Sequence, residues 1–124
     1  MYINSQSICI TKINDDEFIE KVLKKIENVT KKIQQYFDIT NIRKIKINIY
    51  TDKKHFIHDI VKYYESGVVP EYCKGTIQEG KIYYYLEQNY TERKSLYVCQ
   101  IVHEYIHILY NEYMKKRRKI RLVR

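Results

Sequence analysis

Residues that interrupt regular structure are scarce in this chain of 124 residues, which has one proline and three glycines. Long helices and uninterrupted strands are therefore expected between a few turns. Cysteine is scarce as well, and Cys9, Cys73 and Cys99 are odd in number, far apart and without a CxxC pair. This pattern argues against a disulfide framework or a zinc site built on paired thiolates, and it favours reduced thiols in or near the core.

Long hydrophobic runs are also missing from the sequence. No apolar run approaches the roughly 20 residues that cross a bilayer, and the first seven residues lack the basic start and apolar block of a secretory signal. We therefore predict a soluble, cytoplasmic protein. With 44% hydrophobic residues, residues 1–114 are expected to form one small domain with a modest core, followed by a tail at 115–124.

The net charge of +8 is concentrated in that tail. Seven of its ten residues are Lys or Arg and none is acidic, so the other 114 residues carry about +1. A polyanion such as nucleic acid would bind there, if the protein binds one. A solvated tail is the alternative. Because apolar Ile120 and Leu122 alternate with Arg121, a third alternative is a tail that folds back as a strand or occupies the cleft, which would make the chain a latent form.

Hydrophobic periodicity in the first half of the chain predicts a strand, a helix, a second strand and a second helix. Residues 7–12 alternate weakly, and Asn14, with Glu17 three residues later, forms a capping-box pattern for a long helix ending near Asp38. The alternating isoleucines at 45, 47 and 49 predict a half-buried strand. Asp52 is then expected to cap a helix that ends near Gly67.

The second half of the chain predicts a hairpin and a final helix. Two β-prone runs, 72–78 and 81–86, flank Glu79-Gly80, which is suited to a tight turn. The last helix is expected to start at Asn89 or Thr91. Together these elements predict an α+β fold, in which a small mixed sheet of three or four strands packs on two helices and a third helix.

The third helix carries the most informative motif of the sequence, His103-Glu104-Tyr105-Ile106-His107. Helical residues advance by about 100°, so the two imidazoles lie within about 40° of each other and can share one zinc ion. Glu104 on the neighbouring edge can accept a proton from a zinc-bound water. The flanking residues are apolar and uncharged, as expected for a helix at an active site.

The motif and its flanks resemble those of zincin metallopeptidases, and the predicted order of elements resembles the N-terminal half of the gluzincin type. The resemblance implies that His103 and His107 bind Zn²⁺, that Glu104 is the general base and that the reaction is hydrolysis of peptide bonds in a peptide or protein substrate. It also implies that the edge strand of the sheet borders the cleft. A substrate backbone would pair there as an added strand, around Gly75, Thr76 and Ile77.

The sequence departs from the gluzincin pattern at the third zinc ligand, which in that family is a glutamate on a later helix. Glu112 is the only acid or histidine that follows His107, and it could bind the same ion only if the helix broke before it. His55, His58, another chain, a missing second half of the protein and the absence of a third ligand remain as alternatives.

Two further alternatives concern the family branch and the function. The metzincin pattern requires glycine three residues after the motif and histidine or aspartate six residues after it. This chain has Tyr110 and Tyr113 at those positions, which excludes the metzincin branch. Together with Tyr105, these tyrosines are candidates to stabilise an oxyanion. The competing function is that of an inactive or truncated zincin-like domain that binds protein or nucleic acid, and the sequence leaves the oligomeric state open.

Overall fold

The computed structural model describes residues 7–11, 13–37 and 44–123, and it places side chains at 13–37 and 44–112. The elements, in chain order, are β1 (Ser7–Thr11), α1 (Asp16–Phe37), β2 (Ile45–Tyr50), α2 (Lys53–Ile60), β3 (Gly75–Gln78), β4 (Lys81–Tyr85) and α3 (Lys94–Val123). Short 3₁₀ helices at Val61–Tyr63 and Tyr90–Glu92 follow α2 and precede α3. The predicted α+β fold is confirmed.

The four strands form one mixed sheet in the order β1-β2-β4-β3. Strands β1, β2 and β4 run parallel, and β3 pairs antiparallel with β4 at the edge of the sheet. Because the connections between parallel strands contain α1 and α2, the two helices can cover the sheet while the hairpin adds the edge strand.

Both faces of the sheet carry buried side chains, as the alternation along β2 and β4 shows. One face packs against α1 and α3 and the other against α2. The first face buries Ile45, Ile47, Ile49, Ile82 and Tyr84 with Phe18, Val22 and Ile26 of α1 and Val98, Ile101 and Tyr105 of α3. The second buries Tyr50 and Tyr83 with Phe56 and Ile60. The sheet therefore separates α2 from α3.

Helix α1 is capped one residue later than the sequence predicts. The Asp15 carboxylate, not the exposed Asn14, accepts a hydrogen bond from the Phe18 backbone N–H at 3.0 Å. The other carboxylate oxygen accepts from the Tyr90 hydroxyl at 2.9 Å and lies 3.3 Å from the Lys94 ammonium. Asp15 thus joins the start of α1 to the start of α3, a tertiary role that local sequence does not reveal.

Helix α2 starts as predicted but ends earlier. The Asp52 carboxylate accepts from the Lys54 N–H at 2.9 Å, which confirms the cap. The α-helix ends at Ile60, and Gly67, with a φ of 71°, lies in the loop beyond the 3₁₀ helix. Its N–H donates to the Tyr64 carbonyl at 2.9 Å, so this glycine closes a turn of the loop rather than the helix.

The predicted hairpin is confirmed, and its turn is tight. Glu79 and Gly80 have φ values of 54° and 70°. Positive φ at both central residues is the signature of a type I′ turn, whose twist matches that of the flanking strands. Glu79 is the less favourable of the two residues, because a side chain disfavours this backbone region.

Helix α3 starts later than predicted, at Lys94, because Tyr90–Glu92 forms a 3₁₀ helix first. It then continues without interruption to Val123, so the alternating residues near the C-terminus are helical and do not form a strand. None of the helices in the described part of the chain is both long and apolar enough to cross a membrane.

Candidate metal centre

The two histidines of the motif face each other on one exposed side of α3. The Nε2 atoms of His103 and His107 are 2.9 Å apart, and the ring centroids are 4.5 Å apart with the planes nearly perpendicular. Their spacing of four residues within a continuous helix places them one turn apart. At this distance one ring nitrogen can donate a hydrogen bond to the other, and which of the two donates depends on the tautomers.

The pair has the dimensions of two zinc ligands. Imidazole nitrogens bind zinc at about 2.0–2.1 Å, so two of them at a tetrahedral angle lie roughly 3.3 Å apart. The observed separation of 2.9 Å differs from this value by a few tenths of an ångström, which a small rotation of either ring would provide. The donor type and the spacing therefore fit a zinc ion held from one side.

Glu104 lies beside the pair in an open groove of about 420 Å³. The side chains that line it are Lys74, Tyr84, Cys99, Gln100, His103 and Glu104. The carboxylate is partly buried, whereas His103 is exposed. The groove therefore brings a proton acceptor and one candidate ligand to the same space, with His107 one turn further along α3.

The groove has a protonated hydroxyl in its wall. Tyr84 on β4 donates a hydrogen bond to the Gln100 side-chain oxygen on α3. Burial raises the pKa of Tyr84 to about 12, and the nearby Tyr97 and Glu104 add to the effect. Tyr84 is therefore neutral at physiological pH and joins the sheet to the helix that carries the motif.

The edge of the sheet forms the opposite wall of the groove. The Lys74 ammonium lies 2.7 Å from the Glu87 carboxylate, and its hydrogen bond to Glu87 raises the pKa of Lys74 and lowers that of Glu87. A Cβ on Gly75, the first residue of β3, would lie 2.6 Å from a ring carbon of Tyr84. Glycine is required here because the Tyr84 ring covers the backbone of the edge strand.

The side chain between the histidines does not belong to the groove. Tyr105 is fully buried on the opposite side of α3, and its hydroxyl is 2.8 Å from the Thr30 hydroxyl of α1. Tyr105 therefore holds α3 against α1. Because its hydroxyl lies in the core, it cannot stabilise an oxyanion in the groove. Tyr110 is exposed but lies in a different groove, between α1 and α3. The side chain of Tyr113 is outside the described residues.

The described residues supply no third ligand to the pair. Helix α3 does not break before Glu112, which stays about 140° around the axis from His107. His55 and His58 lie on α2, across the sheet from α3, and approach Asp52 and Asp59 at 3.3 and 3.4 Å instead. Among the residues whose placement is described, no group of three or more His, Cys, Asp or Glu side chains could hold a metal.

Part of the groove could have been identified from the sequence. Cys99 and Gln100 precede His103 by four and three residues, so a helix places them on the same side of α3 as His103. Lys74 and Tyr84 come from the hairpin, and only the pairing of β3 with β4 brings them to the motif.

Comparisons of the chain with family models, with curated proteins and with solved structures find no match. The features of the chain that bear on its function are therefore the histidine pair, Glu104 and the groove that His103 and Glu104 line.

Proposed function

We propose that the protein is a zinc-dependent peptide hydrolase of the zincin type, with His103 and His107 as zinc ligands and Glu104 as the general base. One observation carries the proposal. The Nε2 atoms of His103 and His107 lie 2.9 Å apart on α3. The carboxylate of Glu104, the residue after His103, lines the same groove as His103. The HExxH pattern and its uncharged flanks support the same chemistry.

Each residue has a defined role in this proposal. His103 and His107 hold the metal through Nε2, which requires both nitrogens to be free of protons. A bound zinc ion would supply Lewis acidity, lowering the pKa of a bound water and polarising the substrate carbonyl. The Glu104 carboxylate would take a proton from the attacking water, whose oxygen bonds to the carbonyl carbon of the substrate, and would pass it to the amine nitrogen as the C–N bond breaks.

The substrate is proposed to be an extended peptide. Strand β3 is the edge of the sheet and the chain enters it at Lys74, a residue of the groove wall. An extended backbone can pair with a free strand edge through main-chain hydrogen bonds, which read shape rather than sequence. Peptide specificity would then depend on the side chains that line the groove.

A non-catalytic zinc-binding or partner-binding module is the second candidate. It is favoured by one observation, the absence of a third ligand among the described residues, because hydrolytic zinc sites usually have three protein ligands. The two functions differ in whether a carboxylate at position 104 is needed.

Hydrolysis of a quenched fluorescent peptide library by the zinc-loaded protein tests the proposal. Glu104→Gln should retain zinc and lose hydrolysis, whereas His103→Ala should lose both. Hydrolysis that persists in Glu104→Gln would contradict the mechanism. Zinc binding in the wild type without hydrolysis would support the binding module in its place.

A further inference from the structure

Helix α3 presents an exposed and uncharged side around the histidine pair. Residues 96, 99, 103, 106, 107 and 110 fall within about 100° of the helix circumference. The apolar side chains among them are Leu96, Ile106 and Tyr110, exposed by 46%, 37% and 53%. Solvent-facing sides of helices usually carry charge, so an uncharged and partly apolar side is unusual. We call these six residues the α3 stripe.

An apolar groove lies beside the α3 stripe, between it and the C-terminal half of α1. Its volume is about 360 Å³, and its walls include Ile33, Tyr36 and Phe37 of α1 with Ile106, Leu109 and Tyr110 of α3. Tyr36 is 82% exposed. The groove and the α3 stripe share Ile106 and Tyr110. Apolar side chains of a bound partner could therefore enter the groove while neighbouring residues of the partner cover the histidines.

Cationic side chains border this surface on the side of α1, and the Glu104 carboxylate lies on the side of His103. Lys32 borders the groove, and the Lys25 ammonium is 3.6 Å from the sulfur of Cys99 on the α3 stripe. Beyond Tyr110, α3 runs into the segment 115–124, where seven of ten residues are Lys or Arg. A partner that covers the α3 stripe therefore meets positive charge on its borders and is favoured when it is acidic.

We propose that the α3 stripe binds an acidic, amphipathic polypeptide, and that a carboxylate of this partner is the third ligand of the zinc on His103 and His107. The zinc part of this proposal rests on the proposed function. A carboxylate of the partner would be the third protein ligand that hydrolytic zinc sites usually have. Its negative charge also suits the cationic border of the α3 stripe. A second copy of the chain is less suitable, because the α3 stripe has no carboxylate to offer and each copy carries a net charge of +8.

Zinc titration of the full chain by calorimetry, with two synthetic helical peptides of about 18 residues, tests the proposal. Both peptides carry leucines at helical spacing, and the remaining positions are glutamate in one and glutamine in the other. The glutamate peptide should lower the zinc dissociation constant by at least about tenfold, and the glutamine peptide should not. Ile106→Glu should remove this effect, whereas Val68→Glu, at a site 67% exposed on a loop outside the α3 stripe, should retain it.

The failures of the two proposals can be told apart by measuring peptide binding without zinc. Equal zinc affinities with both peptides, or an effect that survives Ile106→Glu, would overturn the partner proposal while zinc binding by the histidine pair stands. A protein that takes no zinc but binds the glutamate peptide through Ile106 would contradict the proposed function and support the docking surface. A zinc-dependent dimer in sedimentation analysis would assign the α3 stripe to a second copy and overturn the acidic partner.

Discussion

Asp15 shows how one side chain can determine where several elements meet. Its carboxylate caps α1 through the Phe18 N–H and also contacts the Tyr90 hydroxyl and the Lys94 ammonium, close to the start of α3. The hydrogen bond from Phe18, with the contacts to Tyr90 and Lys94, lowers the pKa of Asp15 although partial burial opposes the shift. The ionised form is therefore the one that stabilises the fold.

Replacement of Asp15 by alanine is expected to lower the free energy of unfolding by about 1–2 kcal/mol, because a helix cap is lost together with contacts to α3. Asn14→Ala is the matched control, since Asn14 is exposed and does not cap, and it should change stability by less than about 0.5 kcal/mol. Urea denaturation of the two variants measures the difference. Equal losses would show that the cap is shared or misassigned.

The stabilising effect of Asp15 should also depend on pH. Because its pKa in the folded protein is below the ordinary value of 3.8, the contribution is complete above that value and is lost as the pH falls through the folded pKa. The gap in stability between the wild type and Asp15→Ala should therefore be constant near neutrality and narrow in acid, below about pH 4. A gap that widened in acid would contradict the assignment.

At the scale of elements, the packing of α3 on α1 includes a buried hydrogen bond. The Thr30 and Tyr105 hydroxyls are 2.8 Å apart in the core. Thr30→Val should cost about 1–3 kcal/mol, because it leaves the buried Tyr105 hydroxyl without its partner. The double variant Thr30→Val/Tyr105→Phe should regain much of that loss. A double variant as unstable as the sum of both single variants would show that the two hydroxyls are not coupled.

The β3-β4 turn is expected to be improvable. Glu79 has a φ of 54°, a conformation that asparagine adopts more readily than glutamate in a type I′ turn. Glu79→Asn should raise the free energy of unfolding by up to about 1 kcal/mol, and Gly80→Ala, at a φ of 70°, should lower it. A melting temperature unchanged by both substitutions would mean that this turn does not limit stability.

Regular elements were more predictable from sequence than their ends. The isoleucines of β2, the Asp52 cap and the Glu79-Gly80 turn are local signals, and the structure confirms the elements that they predict. The start of α1 was misplaced by one residue because Tyr90 and Lys94, about 75 residues away, decide which carboxylate caps it. Likewise, only strand pairing brings Lys74 and Tyr84 to the motif.

At the scale of the whole molecule, the sheet divides the candidate ligands into two groups. His55 and His58 lie on the α2 side, and His103, Glu104 and His107 lie on the α3 side, where His103 and Glu104 share a groove with Lys74 and Tyr84. The division leaves two imidazoles on one exposed helix surface. Among the residues that the structure describes, no third ligand joins the pair, and the partner carboxylate proposed above would take that position.

The most direct test of the account is a zinc titration of the chelator-treated protein, comparing the wild type with His103→Ala and Cys99→Ser. The account predicts about one zinc ion per chain in the wild type, loss of that site in His103→Ala, and its retention in Cys99→Ser. The cysteine variant is the control because Cys99 is also one helical turn from His103. Zinc that remains bound in His103→Ala, or a wild type that binds none, would contradict the account.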